Sequence, residues 1–137
     1  RYVYFPKKDK KFYFTDSVEL RVINEMFQLP TLEEPKMAEH IVASNLIRMF
    51  RKEWASYGFI DQLFYWKSSK GKEIDFVFFH RGKPFGIEVK YQNVVSGWDE
   101  ISIKRGIGKG LLVTRKTFEY GEVPKIPLWA FLLLKYD

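Results

Sequence analysis

The chain has 137 residues, a formal net charge of +6, 18% aromatic residues and no cysteine. This length fits one compact domain, and the lack of cysteine excludes disulfides, thiolate catalysis and cysteine-ligated zinc in this sequence. No run of about 20 apolar residues occurs, so we expect a cytoplasmic protein without a membrane partner, and the modest positive charge is compatible with DNA binding.

The first 30 residues predict a hairpin followed by a short helix. Aromatic runs at residues 2–5 and 12–14 flank a charged turn, which predicts the hairpin, and we expect the lysines of this turn, Lys11 included, to serve solubility. Asp16 and Glu19 have the spacing of a capping box, which predicts a helix to about Phe27. Its apolar side is expected to consist of Val18, Val22, Ile23 and Met26.

The sequence is expected to divide at about residue 30. It begins with Arg1 rather than with methionine, inside an apolar run, so we expect a fragment of a longer polypeptide. Residues 1–30 would then be an appendage that ends a preceding region, and residues 31–137 would form the main domain.

Residues 36–57 predict the main core helix, which Pro35 opens. Its apolar residues recur at helical spacing: Ala38, Ile41, Val42, Leu46, Met49, Phe50 and Tyr57. Glu39 falls in the same arc, so it is an acid directed toward packed surface. It either favours the helix dipole or supplies a carboxylate to a site.

Three strands are predicted next, at residues 63–67, 74–80 and 85–91, and they form a meander. A four-residue loop at 81–84 would pair residues whose numbers sum to 165, so that Asp75 faces Lys90. Because side chains alternate along a strand, Asp75, Glu88 and Lys90 are expected on one face. The opposite face is expected to consist of Ile74, Phe76, Phe78, Ile87 and Val89.

This register predicts a metal site. Asp75 and Glu88 would be diagonal neighbours with Cβ atoms on the order of 7 Å apart, a gap that one magnesium or manganese ion bound by both carboxylates could span. An ordinary cross-strand ion pair on a solvated face is the alternative. Glu88 and Lys90 interrupt an otherwise apolar strand, which favours the site.

The rest of the chain predicts a short helix at about 98–104, a buried strand at 110–114 and a strand-like segment at 126–134, where Pro127 suits a strand start or an edge. The glycine-rich segment 106–110 lacks the frame of a phosphate-binding P-loop and predicts a turn.

The order of these elements, together with the acids and lysine, resembles the PD-(D/E)XK nuclease superfamily from Glu39 to about Thr114. That resemblance implies an α/β fold with a central mixed four-stranded sheet flanked by helices. It also implies that Glu39, Asp75 and Glu88 hold one or two magnesium ions beside Lys90. The proline that often precedes the aspartate is replaced here by Ile74.

A closer resemblance covers nearly the whole chain. It is to the C-terminal region of a family of prokaryotic, often archaeal, AAA-type ATPases, and it implies that the N-terminal ATPase region of the same polypeptide is a partner. Five segments carry it: residues 11–16 (KFYFTD), 38–46 (AEHIVASNL), 64–67 (FYWK), 73–77 (EIDFV) and 87–90 (IEVK).

The expected function is magnesium- or manganese-dependent hydrolysis of DNA phosphodiesters. Asp75, Glu88 and Lys90 would be catalytic, with the metal held by Glu39, Asp75 and Glu88. Gln92, if the strand continues to it, and Lys72 would contact substrate. Two alternatives stay open: an inactive nuclease-like module that binds DNA or its own ATPase region, and a stand-alone junction-resolving or restriction-type nuclease.

Overall fold

The structure is a computed structural model that describes residues 11, 13, 16–55 and 62–135. The predicted N-terminal hairpin lies outside these residues except for Lys11 and Tyr13, and so does Tyr57 at the end of the predicted core helix.

The described residues form a mixed α/β fold with one five-stranded sheet and four helices, which confirms the predicted α/β class. The sheet has the order β1-β2-β3-β4-β5; β2 runs antiparallel to both β1 and β3, and β4 runs parallel to both β3 and β5. The elements in chain order are α1 (Ser17–Met26), α2 (Glu34–Ala55), β1 (Phe64–Lys67), β2 (Glu73–His80), β3 (Lys83–Lys90), α3 (Gly97–Gly106), β4 (Gly110–Thr114), β5 (Lys125–Pro127) and α4 (Leu128–Phe131).

The predicted strand at 126–134 is wrong. Only Lys125–Pro127 is extended, and these residues add a fifth strand to the sheet before the chain turns into α4. Pro127 has no N–H to donate to a ladder and its φ of −67° suits the start of a helix, so the strand ends there.

The hairpin between β2 and β3 has a shorter turn than the sequence predicted. His80 pairs with Lys83 around a two-residue turn in which Arg81 and Gly82 have φ of 50° and 73°. Two positive φ values match the right-handed twist of the strands. The residue numbers of each pair therefore sum to 163 rather than 165. The last pair of the ladder is Phe76 with Ile87, and the next position along the two strands places Asp75 opposite Glu88.

Helices cover both faces of the sheet. The side chains of α2 that pack into the larger core cluster are Val42, Ala43, Leu46, Phe50 and Trp54, which meet Phe76, Phe78, Ile87 and Val113. On the other face, Ile103 of α3 packs with Ile74, Val77, Leu112 and Val123. The prediction that Ile74 shares a face with Phe76 is thus wrong. A register irregularity between Phe64 and Trp66 of β1 interrupts the alternation where β2 begins.

The first helix begins as predicted, because the side chain of Asp16 accepts a hydrogen bond from the N–H of Val18 at 2.8 Å. Its predicted apolar side does not face the core: Val18 and Met26 are exposed, whereas Leu20 is buried. Among the helices that the structure describes, none is long and apolar enough to cross a membrane.

Candidate functional site

A cleft of about 510 Å³ opens where β2 begins and β3 ends. Four carboxylates and four lysines line it, namely Glu73, Asp75, Glu88 and Asp99 with Lys11, Lys36, Lys72 and Lys90. Its charges are therefore balanced in number, and the pairing between them decides what the cleft can bind.

Asp75 and Glu88 are joined through the backbone of the two strands. The N–H of Asp75 donates to Glu88 Oε2 at 3.0 Å, and the N–H of Val89 donates to Asp75 Oδ2 at 2.9 Å. The backbone pairing of β2 with β3 ends at Phe76 and Ile87. Beyond that pair, the two carboxylates accept hydrogen bonds from N–H groups of the strands. This arrangement satisfies buried backbone donors and fixes both side chains.

Burial and repulsion by a neighbouring carboxylate disfavour the charged form of both acids. Burial raises the pKa of Glu88 to about 7, with a further increase from the charge of Asp75, against the opposing effect of Lys90. Burial also raises the pKa of Asp75; the hydrogen bond from Val89 opposes this and the charge of Glu39 adds to it. Ionising both carboxylates is therefore unfavourable in the folded state, and a bound cation would reduce this cost.

Lys90 lies on the side of this pair that faces α3. Its Nζ is 3.0 Å from Glu88 Oε1 and 3.6 Å from Asp99 Oδ1. Burial alone lowers the pKa of Lys90, but the hydrogen bond to Glu88 and the charges of Glu88 and Asp99 outweigh burial and raise it. Lys90 is accordingly a protonated donor in this cleft.

Glu39 extends from α2 toward the same end of the sheet and is 7% exposed. The hydroxyl of Tyr13 donates to Glu39 Oε1, and Lys36 Nζ donates to Oε2 at 3.0 Å. Burial raises the pKa of Glu39, but the hydrogen bonds from Tyr13 and Lys36 and the charge of Lys11 lower it overall. Glu39 is therefore ionised, and both of its carboxylate oxygens accept hydrogen bonds.

Lys11 was not predicted to belong to the site. Its Nζ forms ion pairs with Glu73, with Asp75 Oδ1 at 3.2 Å and with Glu39 Oε1 at 3.4 Å. Burial lowers the pKa of Lys11, but the hydrogen bond to Glu73 and the charges of Asp75 and Glu39 outweigh burial and raise it. In the sequence, Lys11 is one of four lysines in a predicted turn, and only its place at the start of the segment KFYFTD distinguishes it.

The predicted metal ligands fit a divalent cation only in part. Asp75 and Glu88 present adjacent oxygen donors of the type that magnesium and manganese prefer. Glu39 does not join them, because Lys11 lies between Glu39 and Asp75. Within the described part of the chain, no three histidine, cysteine or acidic side chains gather closely enough to hold a metal ion.

The two predicted substrate contacts differ in position. Lys72 lines the cleft from the turn between β1 and β2 and is exposed. Gln92 is also exposed, but β3 ends at Lys90, so the strand alternation that placed Gln92 on the site face does not reach it. A contact between Gln92 and substrate therefore stays a prediction, and the strand alternation does not support it.

One family model matches the chain. It is described as a domain of unknown function (DUF4143) and matches residues 35–130, which contain all five strands, α3 and all of α2 except its first residue. The chain therefore belongs to this family. No curated protein and no solved structure matched it significantly.

Proposed function

We propose that this member of the DUF4143 family is a magnesium-dependent DNA phosphodiesterase domain, the nuclease-like tail of an archaeal-type AAA ATPase. The observation that carries the proposal is that Asp75, Glu88 and Lys90 line one cleft, with the two acids on directly opposed strands. Buried opposed carboxylates beside a lysine are expected where a cation and a phosphate are to be bound together.

The fold supports the proposal. A helix (α2), a three-stranded antiparallel meander, a second helix (α3) and a strand (β4) parallel to β3 follow one another in the chain. This is the order that the PD-(D/E)XK resemblance implies. The ATPase partner rests on the resemblance of the five quoted segments, 11–16 among them.

Each side chain has a role that follows from its surroundings. Asp75 and Glu88 would hold the magnesium ion, which supplies polarisation of the phosphate and a more acidic water. Lys90 is protonated, so it acts as a hydrogen-bond donor that orients the attacking water and stabilises charge developing on the phosphate. Lys72, exposed at the edge of the cleft, contacts a phosphate of the DNA backbone.

A second candidate function is favoured by Lys11. Because its ammonium group already forms ion pairs with Glu39, Glu73 and Asp75, the cleft can be stable without a metal ion. The domain would then bind DNA, or its own ATPase region, without cutting.

The test is a cleavage assay with single-stranded, double-stranded and branched DNA, in magnesium or manganese. We expect cleavage by the natural chain or by Lys11→Met, and loss of cleavage in Asp75→Asn and Lys90→Met variants that remain folded by circular dichroism. Glu122→Gln is the matched control, because Glu122 is exposed and pairs with Lys104 away from the cleft. Absence of cleavage by both the natural chain and Lys11→Met would overturn the proposal, and DNA binding without cleavage would favour the second candidate.

A further inference from the structure

Lys11 bridges two separate elements of the fold. Glu39 belongs to α2, whereas Glu73 and Asp75 are alternate residues at the start of β2, and all three carboxylates contact the same ammonium group. Its side chain is 26% exposed, so these contacts lie at the cleft wall rather than in open solvent. An ordinary surface ion pair joins one lysine to one acid, and it contributes little.

Tyr13 contacts the same carboxylate as Lys11. Its hydroxyl donates to the same Glu39 oxygen that Lys11 contacts. Its ring packs edge-on against His40 and at a tilt against Phe76, with centroid separations of 5.2 and 5.3 Å. The side chain of Tyr13 is therefore anchored against the core, and the positive charge of Lys11, two residues earlier in the sequence, lies among the acids.

The acids need a cation at this position. Without Lys11, Asp75 would have no ion-pair partner among the described residues, and Glu39 would keep Lys36, whose side chain is 66% exposed. Lys90 forms its ion pairs with Glu88 and Asp99, and it interacts with Asp75 through charge alone. Carboxylates this close and this buried raise one another's free energy in the ionised form.

We propose that Lys11 is an autoinhibitory contact: its ammonium group takes the place of a divalent cation between Glu39 and Asp75, and it must leave before such an ion can bind there. The inference rests on the proposed function in taking this cleft as the working site. It concerns occupancy by a cation and not bond cleavage, so the two ideas can fail separately. Its consequence is that displacement of the Lys11 ammonium group controls access of a cation to the acids.

The direct test measures manganese binding to the chain without DNA, by electron paramagnetic resonance of free Mn²⁺. We expect Lys11→Met to bind Mn²⁺ at least about tenfold more tightly than the natural chain, because a competing unit charge has been removed. Lys36→Met is the matched control, since it removes a lysine from Glu39 without emptying the position between the acids, and it should change the affinity less than about threefold. Equal affinities of the natural chain and Lys11→Met would overturn the inference, as would equal effects of the two variants.

A second measurement uses the natural chain and does not require any variant to fold. Amine acylation followed by peptide mass spectrometry reports how accessible each lysine is. Millimolar Mn²⁺ should increase labelling of Lys11 and leave labelling of Lys109, which does not line the cleft, unchanged. Labelling of Lys11 that ignores Mn²⁺ would overturn the inference even if the chain cleaves DNA, and a rise in labelling would support it even if no DNA is cut.

Discussion

Glu88 lies across from Asp75, one position beyond the last pair of the β2–β3 ladder, and it accepts a hydrogen bond from the Asp75 N–H at 3.0 Å. The two carboxylates are thus connected by the backbone as well as by charge. The backbone hydrogen bond survives a change of Glu88 to a neutral amide, because glutamine keeps an acceptor oxygen, whereas the repulsion does not. This difference allows the charge of Glu88 to be tested separately from its structural contact.

The first prediction is that Glu88→Gln stabilises the protein in alkaline but not in acidic solution. The pKa of Glu88 is raised from 4.5 to about 7 on folding, chiefly by burial and then by Asp75. The folded state therefore binds the proton of Glu88 more tightly than the unfolded state does. The stability that this protonation contributes is fully present below about pH 4.5 and is lost as the pH rises through 7. The variant should be more stable than the natural chain by on the order of 1–3 kcal/mol at about pH 8, and equally stable at about pH 4.

Urea denaturation at the two pH values measures this difference. The control is Glu122→Gln, an exposed acid outside the cleft, which should show no pH-dependent gain. A Glu88→Gln chain that is less stable than the natural chain at about pH 8 would mean that the ion pair with Lys90 outweighs burial and repulsion.

Tyr13→Phe should destabilise the protein near neutral pH by about 1–2 kcal/mol, because Glu39 loses a hydrogen bond to its charged form. The pKa of Glu39 is lowered on folding: burial opposes this, and the hydrogen bonds from Tyr13 and Lys36 outweigh burial. Stability from that lowering is present above the ordinary pKa of 4.5 and is lost as the pH falls through the folded value. The cost of the substitution should therefore shrink in acid.

Thermal unfolding across the pH range checks this dependence on Glu39. Tyr120→Phe is the matched control, because Tyr120 is exposed and its ring contact with Phe118 does not need the hydroxyl. A cost of Tyr13→Phe that stays constant down to about pH 3 would show that the hydroxyl acts through packing and not through the Glu39 charge.

Gly110→Ala should disrupt the junction between β3 and β4. A Cβ at Gly110 would lie 2.1 Å from the carbonyl oxygen of Gly86 and 2.6 Å from Ile103 Cγ2, and the first neighbour is backbone that cannot move aside alone. We expect a loss of at least about 3 kcal/mol, or failure to fold. Gly97→Ala is the control, since nothing lies within 4 Å of a Cβ there and the residue is helical. Chemical denaturation of both variants measures the contrast, and a Gly110→Ala chain as stable as Gly97→Ala would contradict this packing.

Periodicity predicted the parts of the fold that local sequence controls. The buried strand Gly110–Thr114 has the predicted bounds, and α2 was predicted within two residues at its start, because long apolar patterns bounded by glycine or proline leave few alternatives. The hairpin register was wrong because Arg81 adopts a positive φ, a conformation that its residue type does not indicate. The predicted and observed registers differ by two in the sum of the paired residue numbers. Because side chains alternate with a period of two, this difference leaves Glu88 and Lys90 on one face.

The candidate site was predictable only where its residues are close in sequence. Asp75, Glu88 and Lys90 lie on neighbouring strands, and their pattern predicted a shared cleft. Lys11 is 64 residues from Asp75, and a lysine in a charged turn is typical of a solvated surface. Its position depends on how Tyr13 packs against Phe76, which no local pattern indicates.

The last prediction concerns DNA binding and depends on the proposed function. Lys72 is exposed at the edge of the cleft, so if it contacts a phosphate, Lys72→Ala should weaken binding to duplex DNA at every sequence and lower the slope of log affinity against log salt by about 1. Fluorescence anisotropy with a labelled duplex at several salt concentrations measures both quantities. Lys109→Ala is the control, because it removes one positive charge next to the start of β4. The cleft residue Lys90 pairs with Thr114 at the other end of that strand, so Lys109 is distant from the cleft. Comparing the two variants therefore separates a local contact of Lys72 from an effect of net charge. Equal salt slopes for the two variants would show that Lys72 acts only through the overall charge of the protein.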